Sequence, residues 1–183
     1  TGAVITWLKD DLKLISSPGE TEGLTREALK DDALYLIPAF SGLGAPYWDS
    51  HASAAIIGMT RTTGKAEVVR AGVECIAYQI TDILKAMSED AGVKVEELRV
   101  DGGPTRNAYL MQFQSDIAET VVQVPDSEEL SGIGPAYASG LKLGIWDESI
   151  FEKLNRRKYT PKVDGERREE KYAGWKAAVG RIL

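Results

Sequence analysis

The sequence predicts an α/β fold with parallel strands and helical crossovers, on three observations. Apolar residues alternate between helical and strand spacing along the chain, paired glycines follow a strand, and the composition is that of an ordinary globular protein. The chain has 183 residues, of which 43% are apolar and 27% charged, enough for one domain with a proper core.

Each element follows from its pattern. Val4, Ile5, Leu8, Leu12 and Ile15 recur at helical spacing over residues 3–15, and the turn-formers Ser16-Ser17-Pro18-Gly19 close that helix. After a charged connection, LYLIPAF (34–40) reads as a short strand ended by Pro38, and SGLGAPYWDSHA (41–52) as a loop. From Gly64 to about Ala91, Val69, Val73, Ile76, Ile80, Ile83, Leu84 and Met87 define a long amphipathic helix, and Gly92 ends it. LRV makes a strand to Val100, Asn107 caps a helix carrying Leu110, Phe113 and Ile117, and TVVQVP (120–125) is the next strand. A further helix follows Pro125, with Pro135 suited to its first turn and Gly144 to its end. A last helix from about Glu166 places Tyr172, Trp175, Val179 and Ile182 on one face. No repeat, low-complexity tract or linker interrupts this order.

Composition removes several function classes. One cysteine and one histidine make neither a disulfide framework nor a Cys/His zinc site within one chain. A net charge of −6 and a pI near 5.0 argue against nucleic acid as a partner. No apolar run of about 18 residues and no secretion signal are visible, so no membrane span is expected and a cytoplasmic location is the default.

The chemistry concentrates in RVDGGPTRN (99–107). Ligands of open α/β sheets sit at the carboxyl ends of strands, where backbone amides and helix N-termini point outward. Gly102 and Gly103 at such an end let a flat ring or a phosphate approach the main chain, and Asn107 can both cap the helix and offer its amide. A tight turn needing glycine only for its dihedrals explains the pair equally well. Gly132 and Gly134 open the next helix, where close packing by Gly132, Gly134, Ala136, Ala138 and Gly140 is the preferred reading. Asp101 reads as a loop brace rather than a catalytic base, His51 as incidental, Cys75 as a small buried hydrophobe, and Tyr47 and Trp48 as anchors of a long loop.

Five segments carry a resemblance: PAFSGLGAPYWDSHASAAIIGMTR, RAGVECIAYQITDILKAM, LRVDGGPTRNAYLMQFQSDI, GPAYASGLKLGIW and KYAGWKAAV. Together they resemble the carboxyl-terminal domain of FGGY-family carbohydrate kinases, nearest to the glycerol-phosphorylating branch. The resemblance runs from residue 1 to about 180. It implies an actin-like, ribonuclease H-like α/β fold lacking its first strands, with residues 1–183 forming one nucleotide-side domain. It implies an ATP- and Mg²⁺-dependent kinase, cytoplasmic and homo-oligomeric at full length. The substrate implied is a small polyol, glycerol first, held by an amino-terminal domain that also carries the catalytic aspartate.

By matching position, Gly2, Gly103 and Asn107 would contact the nucleotide and Gly102 would shape their turn. No catalytic or metal-ligating residue is expected within the chain, and the isolated chain is expected to be inactive. Thr6 stands where the family usually has glutamine, and Ser53, Ala54, Pro104, Thr105 and Arg106 also depart from its pattern. A pentulose or other sugar kinase of the same family, or a non-catalytic actin-like nucleotide-binding module, are the alternative readings.

Overall fold

The structure is a computed structural model that describes residues 2–29, 33–126, 130–153 and 155–183. Residues 30–32 of the charged connection and 127–129 ahead of the fifth helix lie outside the described residues.

Helix α1 (Gly2–Asp10) buries Val4 and Leu8. It stops before Leu12, earlier than its apolar spacing predicts, because Lys13 takes a left-handed φ of 56° and turns the chain so that Ile15, rather than Leu12, is buried beside Leu8 and Val69. Helix α2 (Glu20–Glu27) follows within the stretch the sequence reads as a connection. Strands β1 (Tyr35–Ile37) and β2 (Ala55–Ile57) pair antiparallel, with Leu36 opposite Ile56.

Helix α3 (Lys65–Ala91) is the central element. It starts at Gly64 and ends at Gly92, which takes the left-handed φ of 66° that glycine accepts without strain. Its first half is buried nearly all round because α1, α2, α4 and β1 pack against it. Ile83 and Met87, expected on the buried stripe, are exposed, and Thr81 and Asp82 are buried at that level instead. Strand β3 (Glu97–Arg99), helix α4 (Ala108–Ala118) and strand β4 (Val121–Pro125) form the predicted crossover, with β3 and β4 parallel.

The parallel expectation stops there. Strand β5 (Arg156–Tyr159), a basic stretch in which hydropathy signals no strand, pairs antiparallel with β4 and gives a three-stranded sheet of order β3-β4-β5. Between them lie helix α5 (Leu130–Lys142) and a 3-10 turn (Glu148–Lys153). Pro135 is at the sixth position of α5 rather than in its first turn. The expected close packing holds for Gly140, where an added Cβ would fall 2.3 Å from the Trp146 ring, but not for Gly132 and Gly134, which face open space.

Helix α6 (Gly165–Val179) closes the core, capped by the Asp164 carboxylate accepting from Arg167 N–H at 2.9 Å. Trp175 is fully buried and stacks on Tyr78 with ring centroids 5.1 Å apart, and Phe113 meets Tyr78 edge-on at 5.4 Å. Cys75 is buried in the same core cluster, its thiol pushed up by desolvation and donating to the Gly72 carbonyl, so it is a packed hydrophobe. No helix among the described residues is long and apolar enough to cross a membrane.

Candidate functional site

Between α1, α2 and the β3–α4 turn lies a cleft of about 530 Å³. Apolar side chains of Ile5, Val73, Ile76 and Leu110 supply its walls. Gly2, Gly103 and Asn107 all line it, although the first and the last are 105 positions apart. The crossover rule explains the meeting: the β3–α4 turn must lie at a strand's carboxyl end, and α1 packs on α3 beside that end.

Backbone geometry gives the turn its shape. Gly102 has φ 96° and ψ 178°, a conformation that a side chain makes costly, and its carbonyl accepts from Thr105 N–H at 3.0 Å and Thr105 Oγ1 at 2.7 Å. Residues Gly103–Arg106 then form a 3-10 turn with Pro104 in its first positions. A Cβ added to Gly2 or Gly103 would meet nothing within 4 Å, so both backbones, which line the cleft, stand bare beside open space. Gly102 therefore shapes the turn and, unlike the other three residues expected at the nucleotide, is not among the residues lining the cleft.

Asn107 has φ −82° and ψ 102°, outside the helix, while its Oδ1 accepts from Leu110 N–H at 2.9 Å. This is the predicted N-cap. Its Nδ2 donates to Thr21 Oγ1 at 3.0 Å. The neighbouring Ala108 N–H donates to Glu22 Oε2 at 3.2 Å, and Glu22 Oε1 accepts from Arg26 at 2.8 Å. The Arg26 guanidinium, more than the Ala108 amide, holds the Glu22 carboxyl below the usual carboxylate range against some desolvation.

Thr6, Lys9 and Arg106 also line the cleft, with Lys9 paired to Asp10 at 3.0 Å. Thr6 brings a hydroxyl among these lining residues. Asp101 is exposed at the strand tip and takes no part in the lining, and His51 is exposed elsewhere, its backbone N–H donating to Asp49 at 2.7 Å. Tyr47 anchors its loop through Asp82 at 2.7 Å, whereas Trp48 does not: it is 79% exposed, because a φ of 51° turns it away from the core. Ser53 and Ala54 are exposed before β2 and lie outside the lining.

Thr21 and Glu22 are the site residues that sequence reasoning missed. Hydropathy gives no helix there, since the buried side chains of α2 are Thr21 and Thr25. The available signal was charge: Pro18-Gly19, acids at Glu20 and Glu22 in the first turn and Arg26 in the last complement a helix dipole.

Residues 1–142 match the FGGY family of carbohydrate kinases, C-terminal domain. The chain belongs to this family. A glycerol kinase of Natranaerobius thermophilus is 45% identical over 100% of this chain and 37% of its own length, and one of Petrotoga mobilis is 47% identical over 99% and 37%. The solved Plasmodium falciparum glycerol kinase with ADP is 36% identical, covers 100% of this chain and 37% of its own, and superposes with a TM-score of 0.90. A xylulose kinase of Rhodospirillum rubrum, 22% identical over 100% of this chain and 38% of its own with a TM-score of 0.78, shares the fold. The fold is therefore the actin-like α/β class of these kinases, and the chain spans about 37% of the length of the curated relatives it matches.

Proposed function

We propose that the chain is the carboxyl-terminal, nucleotide-side part of an ATP-dependent kinase of the cytoplasm that phosphorylates a polyol, glycerol first, to glycerol 3-phosphate. The observation that carries this reading is the convergence of Gly2, Gly103 and Asn107 on one apolar-walled cleft. Relatives named glycerol kinase, 42–47% identical along nearly the whole chain, support the choice of substrate, whereas the xylulose kinases share only about 20%.

The residues present fit an adenine nucleotide. Ile5, Val73, Ile76 and Leu110 remove water from the faces of a flat ring, and the bare backbones of Gly2 and Gly103 leave room for it. Asn107 keeps one Nδ2 hydrogen beyond its bond to Thr21, a donor for a ring or ribose acceptor. When bound with Mg²⁺, ATP supplies the phosphoryl group and the metal offsets its charge. The chain's own work is to bind and orient. The base that accepts the hydroxyl proton, and the contacts to the polyol, would come from the amino-terminal domain of the full-length kinase, and the 183-residue chain alone would be inactive.

Gly103→Val tests the reading. An added side chain meets open space, so the fold is retained, but it fills the cleft. In the full-length kinase, calorimetry is expected to show MgATP binding weakened by about tenfold or more, roughly 1.4 kcal/mol, with unchanged melting. Unaltered affinity in a folded variant would overturn the nucleotide assignment. A panel of glycerol and ketopentoses, compared by kcat/KM, tests the substrate.

A further inference from the structure

The side-chain amide of Asn107 is held at one end by its own helix and at the other by Thr21 of α2. Thr21 is buried, and its hydroxyl donates its single hydrogen to the Pro18 carbonyl at 2.7 Å. Toward Asn107 it is therefore an acceptor only, which demands the NH₂ end of the side-chain amide. Leu110 N–H demands the carbonyl end on the opposite side. Donor and acceptor chemistry thus sets the amide at both ends, and the second Nδ2 hydrogen always faces away from Thr21.

Glu22, the next residue of α2, controls a different atom. Its Oε2 takes the Ala108 N–H at the start of α4, where a helix would otherwise present a free amide and its partial positive charge to an anion. A protein carboxylate already fills that position. Consecutive residues of α2 thus hold the cap and the first residue of α4 across 86 positions of sequence.

We infer that Thr21 and Glu22 are positioning residues of the cleft: Thr21 presents the donor side of Asn107 to the nucleoside, and Glu22 closes the α4 N-terminus to phosphate. This rests on the nucleotide reading given above.

The test uses the full-length kinase, with saturating glycerol and varied MgATP. Thr21→Val keeps the shape and removes the hydroxyl. It should raise KM for ATP about fivefold, the scale of one hydrogen bond, with kcat and the glycerol KM held. Thr21→Ser should restore the KM for ATP to within about twofold, since it returns the hydroxyl. Should the valine variant melt too low to assay, Thr21→Ala takes its place, and thermal melting accompanies each variant.

Glu22→Gln can keep its one acceptor oxygen on Ala108 N–H, turning its amide NH₂ toward Arg26, and removes the charge. Inorganic phosphate, used as the probe, should then compete with ATP about threefold or more better than in the unaltered enzyme. An unchanged KM for ATP in folded Thr21→Val overturns the role of Thr21, and unchanged phosphate inhibition overturns that of Glu22. Asn107→Ala separates the two levels. If it weakens ATP while the α2 variants do nothing, only the positioning inference falls; if it also leaves ATP binding untouched, the nucleotide cleft falls with it.

Discussion

Glu67 holds two chain segments with one carboxylate. Its Oε1 accepts from Leu29 N–H at 3.1 Å, after α2, and its Oε2 from Gly64 N–H at 2.8 Å, at the start of α3. The side chain is buried, and the Leu29 amide, followed by the Gly64 amide, holds its carboxyl below the usual carboxylate range against desolvation. A folded-state value below the unfolded one, about 4.3, means the stabilisation is present above that pH and is lost as pH falls through the lowered value. Glu67→Gln turns its amide NH₂ toward one of the two N–H groups and should cost about 1–3 kcal/mol at pH 7. Melting measured from pH 7 to pH 3 should show a shallower acid decline in the variant than in the unaltered protein, and parallel declines would remove Glu67 from the acid transition. At this scale the sequence is legible where a side chain acts on its own neighbourhood. Asn107 could be read as a cap because the amide it serves is three residues away. Thr21 and Glu22 could not, because their partners are 86 positions distant and threonine carries no apolar signal.

Elements were legible in proportion to how much of their burial is apolar. α3, α4 and β4 bury Val, Ile, Leu, Phe and Met at regular spacing and were readable close to their observed ends. α2 buries threonines, and β5 is an outer strand of Arg156, Arg157, Lys158 and Tyr159, so neither gave a hydropathy pattern. The docking of α6 on β1 was equally invisible, although its YAGW motif stood out. There Gly174 allows the Tyr35 ring to lie across the helix: an added Cβ would fall 2.0 Å from Tyr35 Oη and 2.6 Å from Cζ. The same hydroxyl donates to the Lys171 carbonyl at 3.2 Å. Gly174→Ala must push the phenol aside and break that bond, at an expected cost of about 1–3 kcal/mol in chemical denaturation. Tyr35→Phe removes the nearest clashing atom, so the alanine should cost less in that background, a coupling that a double-mutant cycle reads directly. Additive effects would mean that the contact at Gly174 is relieved elsewhere.

Asp82 ties the molecule together at its largest scale. From within α3 it accepts from Tyr47 Oη of the 41–52 loop at 2.7 Å, and from Tyr172 Oη and Trp175 Nε1 of α6 at 2.6 Å and 2.8 Å. Lys176 Nζ approaches the same carboxylate at 3.9 Å. The loop, the central helix and the last helix therefore share one buried acceptor. Desolvation, reinforced by the bond to Asp82, raises the Tyr47 and Tyr172 phenols well above their ordinary range. A raised folded-state value contributes stability that is fully present below the unfolded phenol value, about 10, and is lost as pH rises above it toward the folded value. Alkaline unfolding should accordingly begin above about pH 10 and engage the loop and α6 together, because both lose the donors that Asp82 requires. The double variant Tyr47→Phe, Tyr172→Phe removes both ionising groups while keeping the rings. It should be less stable at pH 7 by about 1–3 kcal/mol, since Asp82 is left with fewer donors, yet lose less further stability between pH 9 and pH 11. Denaturant midpoints across that range decide the matter: an unchanged alkaline slope would mean that other groups govern the transition, and a flattened one would assign it to the two phenols on Asp82.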